Sequence, residues 1–354
     1  MAKLTDVCDF QGGSQPPKEE WSFEEQDGYI RMPQIRDFTQ SERVTPEYIK
    51  ISGSTKICEA DDILIARYGA SLGKILTGLA GAYNVAIMRT IPNETVLTKK
   101  YLYYYLKSPY FQTSILNVGS RAAQAGFNKE DLSKLDINCP SFEKQGNIVQ
   151  ILQRVEDVIE NRKAELDKFD ELIKARFVEM FGDIKDYCEV GYYIKSLTAG
   201  KSLAGEAECE NKVLKTGAAS FDYFDATQVK NLPLDYEPQA EHLVEAGDII
   251  ISRMNTAELT GAAAYVWNVQ ENVYLPDRLW KANLNEECNP IFVWQMLIQP
   301  STKEQIRREC SGTSGSMKNI SKPGMLAIKV KRVPIDLQNQ FAEFVKQVDK
   351  SKLI

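Results

Sequence analysis

With 354 residues, 43% of them hydrophobic, the chain has room for two ordinary domains, each able to bury its own core. Its formal charge of -6 argues against a surface coated in basic residues, and the polar start from Met1 to Asp6 lacks the order of a signal peptide, which, with no run of about 20 apolar residues anywhere, sets the expectation of a cytoplasmic protein. Seven scattered cysteines without C-x-x-C spacing indicate neither a zinc site nor a disulfide framework, and the single histidine, His242, reads as a surface residue, which leaves histidine chemistry without a basis.

In chain order, the first stretch alternates apolar and polar residues through Asp6–Phe10 and Tyr29–Arg31. A buried strand is predicted over Asp62–Ala66, entered through the acidic turn Glu59-Ala60-Asp61-Asp62 and left at Arg67. Gly69-Ala70-Ser71-Leu72-Gly73-Lys74-Ile75 resembles a phosphate loop, but it is one residue short and has Ile75 where a magnesium-binding hydroxyl belongs, so nucleotide binding is not expected. A helix is predicted from Lys99 to Leu116. Its tyrosines Tyr101, Tyr103, Tyr104, Tyr105 and Tyr110 could stack on bases, but Leu102, Leu106 and Phe111 favour a packed face. A glycine–serine loop, Gly119 to Gly126, follows.

From Glu143 to Phe181 the pattern becomes heptad-like. Steps of four and three pick out Ile148, Leu152, Val155, Ile159, Arg162, Leu166, Phe169, Ile173, Arg176 and Met180, all apolar except the two arginines, which predicts a coiled-coil seam. Ser141 suits the N-cap, Gly182 suits the stop, and about 39 residues at 1.5 Å rise give a rod of about 58 Å.

The chain is then written a second time. Asp6–Phe10 matches Asp186–Val190 at an offset of 180, Tyr29–Arg31 matches Val213–Lys215 at 184, and Glu59–Arg67 matches Glu245–Arg253 at 186. Asn128 aligns with Asn319 at 191 and Pro140 with Pro334 at 194, an offset that rises without reversing, as for two copies of one domain that differ by loop insertions. The second copy carries a predicted strand Asp248–Ser252, a helix Ile291–Cys310 and a loop Ser311–Lys318. From Pro334 a second helix begins with Leu337, Phe341, Phe344 or Val345, and Val348 on its seam. It has only about 20 residues, so half of the first seam is expected to lack an intramolecular partner.

Taken together these features resemble the DNA-specificity (S) subunit of type I restriction-modification enzymes. The resemblance covers the whole chain and rests on order and duplication. It includes the helix entries Pro140-Ser141-Phe142-Glu143-Lys144-Gln145 and Pro334-Ile335-Asp336-Leu337-Gln338-Asn339-Gln340, the strand entry Glu245–Arg253, and Tyr274-Leu275-Pro276-Asp277-Arg278-Leu279-Trp280. It implies a mixed α/β fold of two tandem target-recognition domains with mixed sheets, separated by long coiled-coil helices, the distal one truncated. The expected division is residues 1–142 for the first domain, 143–182 for the central helix, 183–334 for the second domain and 335–354 for the distal helix. It further implies a non-catalytic reader of a bipartite double-stranded DNA site. Two modification (methyltransferase) subunits would dock on the helices and bring S-adenosylmethionine, the chain itself binding no cofactor or metal, and restriction/motor subunits would complete the complex. The short distal helix leaves an alternative: a truncated or recombined subunit acting as a half-reader or scaffold that needs a second chain. A methyltransferase with its own reader is disfavoured, because Asn231-Leu232-Pro233-Leu234 and Asn138-Cys139-Pro140-Ser141 lack the second proline and aromatic of a catalytic loop.

For DNA contact, residues at strand ends and in the glycine–serine loops are expected to carry the chemistry. Arginine suits guanine, and Asn or Gln suits adenine. In the first copy these are Arg31, Gln34, Arg36, Arg67, Tyr68, Ser120, Arg121 and Gln124. In the second they are Lys215, Thr216, Arg253, Asn255, Thr256, Ser314, Ser316 and Lys318. Arg67 and Arg253 stand out because both copies place an arginine directly after the strand. The run Gln305–Arg332, with Arg307, Arg308, Lys318, Lys322, Lys329, Lys331 and Arg332 against Glu309, suggests a phosphate-binding face.

Overall fold

A computed structural model describes residues 1–39, 44–119, 126–312 and 317–352. It divides into two compact units, Met1–Asn161 and Arg162–Ile354. In chain order the first holds β1 (Ala2–Lys3), α1 (Leu4–Val7), β2 (Cys8–Gly12), β3 (Trp21–Ser22), β4 (Tyr29–Arg31), α2 (Ile35–Thr39), β5 (Tyr48–Lys50), β6 (Ile57–Cys58), β7 (Leu64–Ala66), β8 (Ile75–Leu76), β9 (Gly81–Ala82) and β10 (Ile87–Pro92). Then come α3 (Lys99–Lys107), α4 (Pro109–Gly119), α5 (Lys129–Leu132), β11 (Asp136–Ile137) and the opening half of α6 (Phe142–Phe181). The second unit takes the rest of α6, then β12 (Tyr187–Glu189), β13 (Ile194–Ala199), β14 (Lys212–Leu214), β15 (Val229–Asn231), β16 (Ile249–Ser252), β17 (Met254–Asn255), β18 (Ala263–Tyr265), β19 (Val273–Tyr274) and β20 (Leu279–Leu284). It ends with α7 (Pro290–Leu297), α8 (Pro300–Glu309), β21 (Lys318–Asn319), α9 (Lys322–Leu326), β22 (Lys329–Lys331) and α10 (Ile335–Lys352).

Duplication is visible in the strand order. A four-stranded antiparallel sheet runs β2-β10-β7-β8 in the first unit and β13-β20-β16-β18 in the second. Among the described residues parallel pairing is confined to β14 with β19. The hydrogen bonds correct the sequence alignment. Leu4 N–H donates to Leu135 O as Val190 N–H donates to Ile328 O, so Leu4 corresponds to Val190 at 186, and the 180 offset at Asp6 was six residues out. Met32 N–H donates to Glu47 O as Lys215 N–H donates to Gln228 O, so Arg31 corresponds to Leu214 and not to Lys215. The bridge of Tyr68 to Gly126 matches that of Met254 to Asn319, which makes Gly126 the counterpart of Asn319. The offset therefore dips in the segment before β5 and β15 and climbs afterwards; length changes of both signs separate the copies.

Each predicted helix after the sheet is a pair of helices, α3 with α4 and α7 with α8, broken before Pro109 and Pro300. Proline has no N–H and clashes with the preceding turn, so the chain restarts with proline at the first helical position. The tyrosine run packs. Leu102, Leu106 and Phe111 are fully buried, Tyr101 and Tyr105 donate their hydroxyls to Asn138 O and Asp136 O, and Tyr104 donates to Glu156 of α6 at 2.7 Å.

A shared lock closes each domain. Gln145 of α6 is fully buried; its Oε1 accepts the N–H of Thr98, the N-cap of α3, and its amide nitrogen donates to Val96 O and Pro140 O. Gln338 of α10, 1% exposed, accepts from Asn289, the N-cap of α7, and donates to Val333 O. Replacing Gln338 by leucine strands a buried N–H and C=O and is expected to cost about 2–3 kcal/mol in denaturant unfolding. A second shared close approach sits at Gly13 and Gly200, where an added Cβ would lie 2.1 Å from Asn84 O and 1.9 Å from Leu275 O. Gly200→Ala is expected to cost about 1–3 kcal/mol by overpacking; a thermal midpoint unchanged from wild type would refute this account of the approach.

The long helix meets two environments. Ile148, Leu152, Val155 and Ile159, the first four expected seam positions, are exposed, as are Ile151 and Val158 at 61% and 66%. In the second unit Ile173, Phe177 and Phe181 are buried beside Phe341, Ala342, Val345 and Val348 of α10, with Phe169 and Met180 packed against the cluster, and Leu166 is half-buried. Phe177 and Phe181 fall outside the heptad series read from the sequence, because the helix here follows the core of its domain with its own 3.6-residue period. His242, expected at the surface, is 6% exposed: the 3-10 turn Ala240–His242 tucks it in, and its carbonyl accepts the Leu275 N–H. No described helix is long and apolar enough to cross a membrane.

Candidate nucleic-acid interface

The two arginines after the strands are structurally equivalent. In each copy an aspartate closes the acidic turn: Asp62 Oδ2 accepts Glu59 N–H and Asp248 Oδ2 accepts Glu245 N–H, both at 2.9 Å. Strands β7 and β16 follow, buried at every position. Arg67 N–H then donates to Ala86 O and Arg253 N–H to Arg278 O, so the main chain leaves the sheet at one fixed point in both copies.

What holds the side chains differs. The Arg67 guanidinium lies over the Tyr68 ring, 5.0 Å from its centre, and reaches Phe127 O at 3.4 and 3.5 Å. Arg253 lies over Trp280 at 5.7 Å and donates its Nε to Asn319 Oδ1 at 3.2 Å. Both arginines remain half-exposed, and Tyr68 is 40% exposed.

The second copy gathers its candidates. On the ribbon of β17 and β21, Asn255 stands opposite Lys318. The Asn255 amide donates to Ser220 Oγ at 3.1 Å and its Oδ1 accepts Thr256 N–H. Ser220 in turn donates to Thr216 O, which ties in the turn bearing Lys215, exposed at its edge. Lys318 Nζ donates to Gly312 O at 2.6 Å. The ribbon is thus a polar platform carrying Arg253, Asn255, Thr256 and Lys318, with Lys215 and Thr216 linked through one serine.

In the first copy, Arg31, Gln34 and Arg36 are brought together differently. Arg31 pairs with Asp37 at 3.0 Å, while Gln34 and Arg36 both bond the Glu47 carboxylate. Asp37 and Glu47 are 3% and 9% exposed, and buried carboxylates need such partners to offset lost hydration, so these three side chains already serve the fold. Ser120, Arg121, Gln124, Ser314 and Ser316 lie outside the described residues.

Several side chains of the basic run already have partners within the fold. Lys331 caps the end of α6 by donating to Phe181 O and Gly182 O, Lys329 pairs with Glu189, Arg308 pairs with Glu304, and Arg332 lies over Tyr192. Arg307 and Lys322 are exposed. Three contributors went unread in the sequence: Asn319, Trp280 and Ser220. Each meets its arginine or asparagine only when segments 27–66 residues apart come together, which no local pattern signals.

Residues 1–168 match the family model described as the type I restriction modification DNA specificity domain. Residues 1–168 thus carry a type I restriction modification DNA specificity domain, and nearly the whole chain is similar to specificity subunits. It is 22% identical to the type I restriction enzyme MjaVIII specificity subunit of Methanocaldococcus jannaschii, over 92% of this chain and 80% of that protein. It is 18% identical to the EcoKI specificity subunit of Escherichia coli K12, over 72% of this chain and 59% of that one. The fold is similar to a crystal structure of the S subunit from M. genitalium, with a TM-score of 0.50 and 15% identity over 99% of this chain and 89% of that one. It is also similar to a chain solved in work on assembly and conformational transition of the type I system, with a TM-score of 0.53 and 14% identity over 99% and 90%.

Proposed function

We propose that the chain is a type I specificity subunit that reads a bipartite double-stranded DNA site, one half-site per copy of the repeated domain, and carries no chemistry of its own. The carrying observation is the equivalent arginine launched from the same strand of the same sheet in both copies. Residues 1–142 and 183–334 serve as target-recognition domains, 143–182 as the central helix and 335–354 as the distal one. Arg67, Tyr68 and the ribbon bearing Arg253, Asn255, Thr256 and Lys318 supply the contacts. Modification subunits dock on the helices, bringing S-adenosylmethionine, and restriction subunits join them.

The test is enrichment from a pool of randomised duplexes by the full chain copurified with its modification subunits. Two short motifs at a fixed gap are expected. A single continuous motif, or no enrichment, overturns the reading. The exposed apolar residues from Ile148 to Ile159 favour a second reading in which another protein chain covers α6 before DNA is bound. Light scattering on the purified chain decides whether it self-associates.

A further inference from the structure

Fixing a guanidinium in one plane is what allows it to meet a base edge with two parallel hydrogen bonds, and a side chain free to swing spreads its contacts over neighbouring phosphates instead. The two copies solve this orientation problem with different parts. In the first, Gly126 occupies the position opposite Tyr68, and a Cβ there would lie 2.5 Å from the Tyr68 ring. The ring therefore fills the space that a side chain would take, and Arg67 rests on it. In the second copy that position is Asn319, whose Oδ1 takes the Arg253 Nε–H, while the indole of Trp280, 1% exposed, supplies the flat surface. A hydrogen bond to Nε fixes rotation about the long axis of the guanidinium. In the first copy that part falls to main chain, since Arg67 Nε and Nη2 reach Phe127 O at 3.4 and 3.5 Å, so only the second copy sets the angle with a side chain.

We propose that Asn319 is a positioning residue for base discrimination by the second domain: it turns Arg253 so that the two terminal guanidinium nitrogens meet one base edge. This rests on the reading of Arg253 as a base-contacting residue. The Asn319 side chain is separable from the fold of the ribbon, because the ladder is held by its main chain. Asn319 N–H donates to Ser311 O, its carbonyl accepts Ser311 N–H, and it pairs with Met254 across the strands.

The experiment uses the full chain with its modification subunits and a pool of randomised duplexes, sequencing the bound fraction for wild type, Asn319→Ala, Asn319→Asp and Arg253→Ala. Asn319→Ala is expected to weaken the preference at a single base position in one half-site by about fivefold, leaving the other half-site and the salt dependence of binding unchanged. Asn319→Asp retains an acceptor oxygen in the same place, so it keeps the preference even as its added charge lowers affinity for every sequence. Arg253→Ala erases the preference at that same position. If Arg253→Ala erases it and Asn319→Ala leaves it at the wild-type level, the positioning role is wrong and the arginine reading stands. A uniform loss over the whole half-site in Asn319→Ala also overturns the proposal, since that is the signature of a damaged fold. If Arg253→Ala leaves every preference intact, the underlying reading fails and the positioning role falls with it.

Discussion

Arg253→Ala is expected to weaken binding to the recognised duplex by about 10- to 100-fold while leaving copurification with the modification subunits unchanged. The reason lies in how the arginine is attached. Its N–H donates to Arg278 O and its carbonyl accepts the Ile320 N–H, and both bonds survive in alanine. What is removed is the guanidinium between Trp280 and Asn319 and whatever it gives to DNA. As a base contact rather than a phosphate contact, it leaves the slope of log affinity against log salt close to wild type, and the loss falls on the recognised duplex and not on scrambled DNA. Fluorescence anisotropy titrations of both duplexes at several salt concentrations read these quantities. Affinity for the recognised duplex equal to wild type would remove Arg253 from the interface.

The second large effect concerns stability. Phe341→Ala is expected to destabilise the second unit by about 3–5 kcal/mol and to lower its thermal midpoint by about 10 °C. Phe341 is fully buried, its ring 5.4 Å from those of both Phe177 and Phe181 and 6.4 Å from that of Phe292. It is the point where α10, the end of α6 and α7 share one aromatic cluster, so truncation opens a cavity that three helices line. The first unit has its own core, built on residues such as Leu4, Ile65, Leu102 and Phe111, and its transition should not move. Calorimetry that shows a loss below about 1 kcal/mol would mean the cluster repacks around the gap.

Much of this architecture was legible in residues. The pair Glu59–Arg67 and Glu245–Arg253 reveals the duplication because an acidic turn, a buried strand and an exit arginine form one local unit, with every part within nine positions. The ends of α6 were legible too, from Ser141 and Gly182. Pro109 and Pro300 were there to be read as helix breaks, but helix-forming sequence resumes directly after each and reads as one longer helix. The seam failed at Phe177 and Phe181 because a heptad count assumes a partner helix, whereas these residues pack on a domain core with an α-helical period. The alignment failed at Asp6 because five residues of weak similarity cannot compete with a hydrogen-bond ladder. For the candidate site the limit is plainer. Arg67 and Arg253 follow from strand ends, but the engagement of Arg31 and Arg36 with buried acids, and of Arg253 with Asn319, exists only once distant segments meet.

The glutamine lock decides where this protein can be cut. A fragment ending at Pro140, just before α6 begins, would leave Thr98 N–H and Val96 O without Gln145 and would expose the cap of α3. One that runs on past Glu156 keeps that lock, keeps Val149 buried, and keeps the bonds from Tyr104 and Lys107 to Glu156. Only such a fragment should yield a first domain that folds and can be titrated with DNA on its own. The unit that folds thus takes in the recognition domain and about four turns of the helix that follows it.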